Sequence, residues 1–197
     1  GTVSPAGGNL KEPVTESTKK AARCFYALSQ NRADSKRYPA IDTLDSYSKY
    51  LEYPEFISFA KEKLDENWVE LVNEARNILV RGKETEEQIN ILGDDSVPID
   101  YHVTLWKSEF VDFVILQQDA FDKIDATTSL ERQEFMLKKV IGVTRSEFRF
   151  ENFEEVAIYF KRLINAFRQM NYTIFKSEEF KKAEEEANMV LEERLIK

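Results

Sequence analysis

Asn152-Phe153-Glu154-Glu155-Val156-Ala157-Ile158-Tyr159-Phe160-Lys161-Arg162-Leu163-Ile164-Asn165-Ala166-Phe167 is the stretch that decides the fold. Phe153, Val156, Ala157, Phe160, Ile164 and Phe167 fall at i, i+3, i+4, i+7, i+11 and i+14, the spacing of one face of an α-helix. Asn152-x-x-Glu155 is a capping box, in which the Asn side chain accepts an otherwise unpaired backbone N–H and the Glu reaches back. A helix with so regular an apolar stripe needs partners to bury it.

Working outward, the partners are also helices. Pro98 to Ala120 predicts the most apolar helix of the chain, containing Val103, Trp106, Phe110, Phe113, Val114 and Leu116. Apolarity on all sides marks a central, buried element. Thr128-x-x-Glu131 predicts another capped helix start. A last helix is expected from about Ser177 to the chain end, with Phe180, Ala183, Ala187, Val190 and Leu191 on one side. Its Lys181, Lys182 and Glu184 to Glu186 form a solvated face. Upstream, Pro54 suits a first helical position, with Glu55 in the first turn. Phe56, Phe59, Ala60 and Leu64 begin a stripe that Trp68, Leu71, Val72, Ala75, Ile78 and Leu79 carry to about Arg81, where Gly82 is expected to stop it. Thr85-x-x-Gln88 predicts a short helix ending near Gly93. Helices joined by short connections give an antiparallel bundle. The expected fold is therefore mainly α: an antiparallel helical bundle over residues 51–197, preceded by an irregular segment over residues 1–50.

In that first segment, Ser4-Pro5-Ala6-Gly7-Gly8-Asn9 and Glu12-Pro13 predict a shaped turn, with Gly1-Thr2-Val3 as a strand stump. Residues 15–30 carry Ala21, Ala22, Phe25 and Leu28 at helical spacing. Tyr38-Pro39-Ala40-Ile41-Asp42 predicts a loop with an aromatic held at a constrained backbone, because the residue before Pro is pushed toward extended conformations.

The 197 residues carry a formal charge of −8, with 32% charged and 42% hydrophobic residues. That balance excludes disorder and disfavours a nucleic-acid binder, which needs a basic surface to meet phosphates. No apolar run approaches the roughly 20 residues of a membrane span, so a membrane role would be peripheral. Cys24 is the single cysteine; it forms no internal disulfide and is expected as a small core residue in a cytoplasmic protein. His102, the single histidine, has no nucleophile or acid beside it in sequence and is expected on a helix surface. There is no G-x-x-x-x-G-K-[ST] or G-x-G-x-x-G phosphate loop and no His/Cys cluster for a metal. No catalytic residue and no metal ligand is assigned. From the residues alone, Tyr38 and Phe121 read as core aromatics that lock the loop to the bundle.

Several short motifs occur in a telling order: Ser4-Pro5-Ala6-Gly7-Gly8-Asn9, Glu12-Pro13-Val14-Thr15, Arg37-Tyr38-Pro39-Ala40-Ile41-Asp42, Ser46-Tyr47-Ser48, the Leu92-Gly93-Asp94 break before Pro98, and Gln117-Gln118-Asp119-Ala120-Phe121. Together they resemble the catalytic A (alpha) subunit of V/A-type rotary ATPases, in its bacterial form. The resemblance is strongest over residues 3–50 and 92–125 and faint beyond about 145. Asn9, Asp119 and Thr43-Leu44 depart from the forms common in that family.

The resemblance implies that residues 1–50 are the tail of a nucleotide-binding domain and residues 51–197 a C-terminal helical domain. It implies two functional surfaces. Tyr38 and Phe121 would sandwich the adenine of ATP or ADP, which the parent subunit binds with Mg. Asp94, Asp95 and Asp100, at a turn between helices, would meet the rotor. The implied partners are B subunits and the central shaft, at the soluble head beside the membrane, with no membrane insertion and no nucleic acid. The implied role is energy coupling between ATP hydrolysis or synthesis and ion transport. Without a phosphate grip, the chain by itself is expected to be no enzyme and to bind nucleotide weakly. The non-catalytic B subunit and a helical adapter without a nucleotide role are the alternatives.

Overall fold

The computed structural model describes residues 11–196. The turn and strand stump expected over residues 1–9 lie outside them. The helix that decides the fold is α7 (Phe153–Asn171), opened as expected by the Asn152 side chain, which accepts the backbone N–H of Glu155 at 2.9 Å. Phe160, Leu163, Phe167 and Met170 are fully buried along it.

Around α7 stand α4 (Trp68–Leu92), α5 (Ile99–Val111), α6 (Leu130–Arg145) and α8 (Glu178–Glu192), with α3 (Pro54–Lys63) leading in. Successive helices alternate in direction. α5 runs beside α7 in the same sense, His102 against Phe153 and Phe110 against Phe167. α6 runs beside α4, pairing Lys138 with Asp65 and Arg145 with Glu74. α7 and α8 are antiparallel, joined by Arg162–Glu193 and by the Tyr159 hydroxyl donating to the Leu191 carbonyl. The fold is thus the mainly α antiparallel bundle expected, with Phe110, Val140, Ile141, Val156, Phe160 and Phe167 at its centre. After residue 54 the strand-like pairing among the described residues is one isolated bridge, Phe148 with Leu195.

Several local expectations are corrected. Residues 15–30 hold α1 (Pro13–Ala21), then strand β1 (Cys24–Leu28), then the start of α2 (Gln30–Asp34). β1 pairs antiparallel with β2 (Ile41–Ser48), whose first two residues fall in the stretch expected as a loop. Phe25 and Tyr26 suit a pleated surface, and Phe25 pairs with Tyr47 across the ladder; that long-range partner outweighed the helical spacing. Cys24 is half-buried at the end of this ladder rather than in the core.

The helix expected to run unbroken from 54 to 81 is interrupted at residues 64–67, where the Asp65 side chain accepts the Asn67 N–H. Gly82 does not stop a helix. It sits inside the 25-residue α4, where its missing Cβ lets Ser108 of α5 approach. Thr85 is likewise mid-helix, its hydroxyl donating to the Arg81 carbonyl. The cap of α6 is Ser129, one residue later than expected. The apolar helix from Pro98 ends short of Ala120: α5 passes at Asp112–Leu116 into a π turn.

Candidate functional site

Two loops meet at the lower end of α5, and the meeting is built by the end of α2. After Ser35, Lys36 takes a left-handed backbone (φ 57°). The Arg37 N–H then donates to the Arg32 carbonyl (2.8 Å) and the Lys36 N–H to the Ala33 carbonyl (3.0 Å). This paired closure of a helix end turns the chain back on itself. It puts Arg32 and Arg37 within reach of one buried carboxylate, Asp112, at 2.6 and 3.1 Å. Arg37 also grips Glu109 with both ends of its fork, at 2.7 and 3.0 Å, and its guanidinium lies 4.5 Å from the Phe113 ring centre. Bidentate charged pairs of this kind fix orientation as well as distance.

The next residue is Tyr38, 52% exposed, joined to Pro39 by a cis peptide bond. Its carbonyl accepts the backbone N–H of Gln118 at 2.8 Å. From there the loop 117–126 is shaped by its own carboxylates. Asp125 accepts the Asp119 N–H (2.6 Å), Asp119 the Phe121 N–H (2.9 Å), and Asp122 the N–H groups of Ile124 and Asp125 (each 2.8 Å). Burial pushes the Asp125 carboxyl above its ordinary range, against the opposing pull of the Asp119 N–H. Phe121 is 100% exposed at the tip of this loop. Neither aromatic is therefore a core residue. The packing alternative for Tyr38 and Phe121 falls, and two exposed rings on two hydrogen-bonded loops remain. Asp119, a departure from the common Asn, uses a carboxylate oxygen for a bond that an amide oxygen also makes.

Sequence reasoning missed a cavity of about 830 Å³ between β2, α4, α6 and the π turn, with Tyr47, Trp68, Arg76, Ile115, Gln117 and Arg132 among its walls. Arg76 anchors β2 above it by donating to the Leu44 and Ser46 carbonyls. No sequence signal finds it, because its walls come from segments scattered between Thr43 and Asn171 that share only tertiary position. Tyr38 and Phe121 lie outside its lining.

The second surface is the corner between α4 and α5. Gly93 takes φ 88°, a short 3-10 turn spans Asp94–Ser96, and Asp94, Asp95 and Asp100 are exposed, beside the exposed Ile91 and Leu92. His102 corrects expectation: it is 4% exposed, stacked on Phe153 at 5.0 Å, with Nε2 donating to the Asp94 carbonyl at 3.1 Å. It ties the corner to the bundle. His102→Ala is expected to lose about 2 kcal/mol of stability, from the stacked ring and the hydrogen bond together. Amide exchange at residues 94–97 should accelerate more than elsewhere; uniform exchange across the bundle would show that His102 does not hold the corner.

Among the described residues no helix is long and apolar enough to cross a membrane. The same residues contain no group of three or more His, Cys, Asp or Glu that could hold a metal ion.

Comparison with known proteins gives three results. Residues 58–156 match the family model of the C-terminal domain of V and A type ATP synthase. The chain is 39% identical over 184 residues to a V-type ATP synthase alpha chain of Borrelia duttonii (strain Ly), covering 93% of this chain and 30% of that one. It is 35% identical over 194 residues to the V-type ATP synthase alpha chain of Protochlamydia amoebophila (strain UWE25), covering 98% and 32%. The chain thus spans about a third of the length of the curated relatives it matches. Among solved structures, a unique ATP synthase subunit, NeqB, from Nanoarcheaum equitans has a similar fold, with TM-score 0.53 and 20% identity over 71% of this chain and 32% of that one.

Proposed function

This chain belongs to the family of C-terminal domains of V and A type ATP synthases, and from that premise we propose that it serves as the coupling end of a catalytic alpha subunit. In this reading residues 1–50 belong to the nucleotide-binding part and residues 51–197 to the C-terminal helical domain. Tyr38 and Phe121 form an aromatic wall for the adenine of Mg-bound ATP or ADP. The corner with Asp94, Asp95 and Asp100 meets the central shaft, and neighbouring B subunits complete the head. The phosphate-binding chemistry belongs to residues outside the motifs of this chain.

The observation that carries the reading is the Gln118-to-Tyr38 backbone bond between two loops that each hold an aromatic ring out to solvent. A fully exposed Phe at a loop tip offers its ring face to a flat base. Aromatic faces add about 0.5–1.5 kcal/mol each beyond their buried area.

Tyr38→Ala and Phe121→Ala, made in the complete subunit of an assembled ATPase, should each raise KM for ATP about 3- to 10-fold. kcat should change little, since base stacking is equal in ground and transition states. Steady-state hydrolysis at varied ATP checks this; an unchanged KM in both variants sinks the adenine wall.

A further inference from the structure

We infer that Arg37 is a positioning residue that links the adenine wall to the shaft-facing corner through α5. The inference rests on the function proposed above and adds to it a specific connection.

α5 is 13 residues long, about 20 Å as a helix. Its first turn adjoins the corner, where His102 holds the Asp94 carbonyl. Its last turn supplies Glu109, and the π turn that follows supplies Asp112 and Phe113. All three engage the single guanidinium of Arg37. Along its length the helix is clamped by Ser108 against Gly82, and Phe110 and Val111 are fully buried. A helix held at these points moves as a rod, so a push on one end is carried to the other.

At the far end, the only covalent step from Arg37 to the proposed wall is one peptide bond, to Tyr38. The π turn leads within two residues to Gln118, whose N–H holds the Tyr38 carbonyl. Tyr38 is therefore gripped on both sides by groups that ride on α5. A two-pronged pair with Glu109, a second carboxylate at Asp112 and a ring face at Phe113 hold the half-buried guanidinium in one orientation. Lysine, a point charge on a flexible stem, cannot reproduce that fork. Arg32 shares Asp112 but stands a full helix end before Tyr38 in the chain, so it supports the clamp without adjoining the wall.

The test uses the complete alpha subunit in its assembled ATPase. KM for ATP, kcat and ions moved per ATP hydrolysed are measured for R37Q, R37K and the corner triple D94N/D95N/D100N. The triple is also combined with each Arg37 variant, with Y38A as reference. R37Q and R37K should raise KM about 3- to 10-fold and lower ions per ATP at least about 2-fold. The corner triple should change ions per ATP in the native background and have little further effect beside R37K, because two residues on one line of transmission are non-additive. R37K keeps the charge, so it answers where R37Q fails to assemble.

Y38A raising KM while R37K and R37Q leave it unchanged overturns the inference and spares the adenine wall. Unchanged KM in Y38A and F121A removes the wall and the inference together. Corner and Arg37 effects that simply multiply overturn the connection. A corner triple without effect removes the shaft contact and the connection with it. A lower melting temperature of the Arg37 variants with native KM and native ions per ATP reduces Arg37 to a fold clamp and also overturns it.

Discussion

Gly82→Val is expected to destabilise the chain by about 3 kcal/mol or more. A Cβ at position 82 would fall deep inside the van der Waals radius of Ser108 Cβ and Oγ. Ser108 Cβ is bonded directly to the α5 backbone, so it has no rotamer that escapes. The helices must move apart, and that separation opens the packing of Phe110 and Val111 in the core. Replacing a helical glycine gains at most about 1 kcal/mol of propensity, with Ala, and less with Val, too little to offset this. Gly82→Ala should show the same sign at about 2 kcal/mol, and adding Ser108→Gly should recover a large part of it by making room. Urea titrations of the chain measure all three. A Gly82→Ala midpoint equal to the parent's would mean that α4 and α5 do not meet at this point.

The second large effect belongs to Asp112→Ala, expected to cost about 3 kcal/mol. The carboxylate is 7% exposed and neutralises Arg32, whose side chain is 15% exposed, while sharing Arg37 with Glu109. Removing it leaves Arg32 buried without a counter-charge, and the Arg32 Nε already lacks a partner. Breaking one member of such a buried set costs far more than the set itself contributes against an apolar replacement. Arg37 keeps Glu109, which limits the loss. Since Arg32 and Arg37 tie residues 30–37 to α5, local release should accompany the loss of stability. Limited proteolysis is expected to cut between residues 29 and 40 at an increased rate. A change below about 0.5 kcal/mol would class the network with solvent-screened surface pairs.

The helical body was legible in the sequence wherever burial follows a single helix's own period. The stripe of α7, the Asn152 cap, the start of the last helix near Ser177 and the turn after Gly93 are local patterns, and each stands where the sequence places it. The resemblance pointed to Tyr38 and Phe121, but only the structure showed that both are exposed and that their loops share a backbone bond. The Arg37 clamp gave no sequence signal, because its acceptors Glu109 and Asp112 are more than 70 residues away and look like ordinary helix-surface acids.

Misreadings cluster where a distant partner overrides a local preference. Phe25 and Leu28 have helical spacing, yet the β2 ladder takes them into a strand. Gly82 has the chemistry of a helix stop, yet Ser108 uses its bareness as a packing slot. His102 is polar and isolated in sequence, yet Phe153 and the Asp94 carbonyl bury it. By itself the sequence determined the helix periods, the caps and the identity of the family, since these depend on residues within a few turns or on ordered short motifs. Tertiary structure alone decided which loops touch, which glycine admits a neighbour and which carboxylate is desolvated between two arginines, because those properties arise from pairwise contacts between segments that no local period encodes.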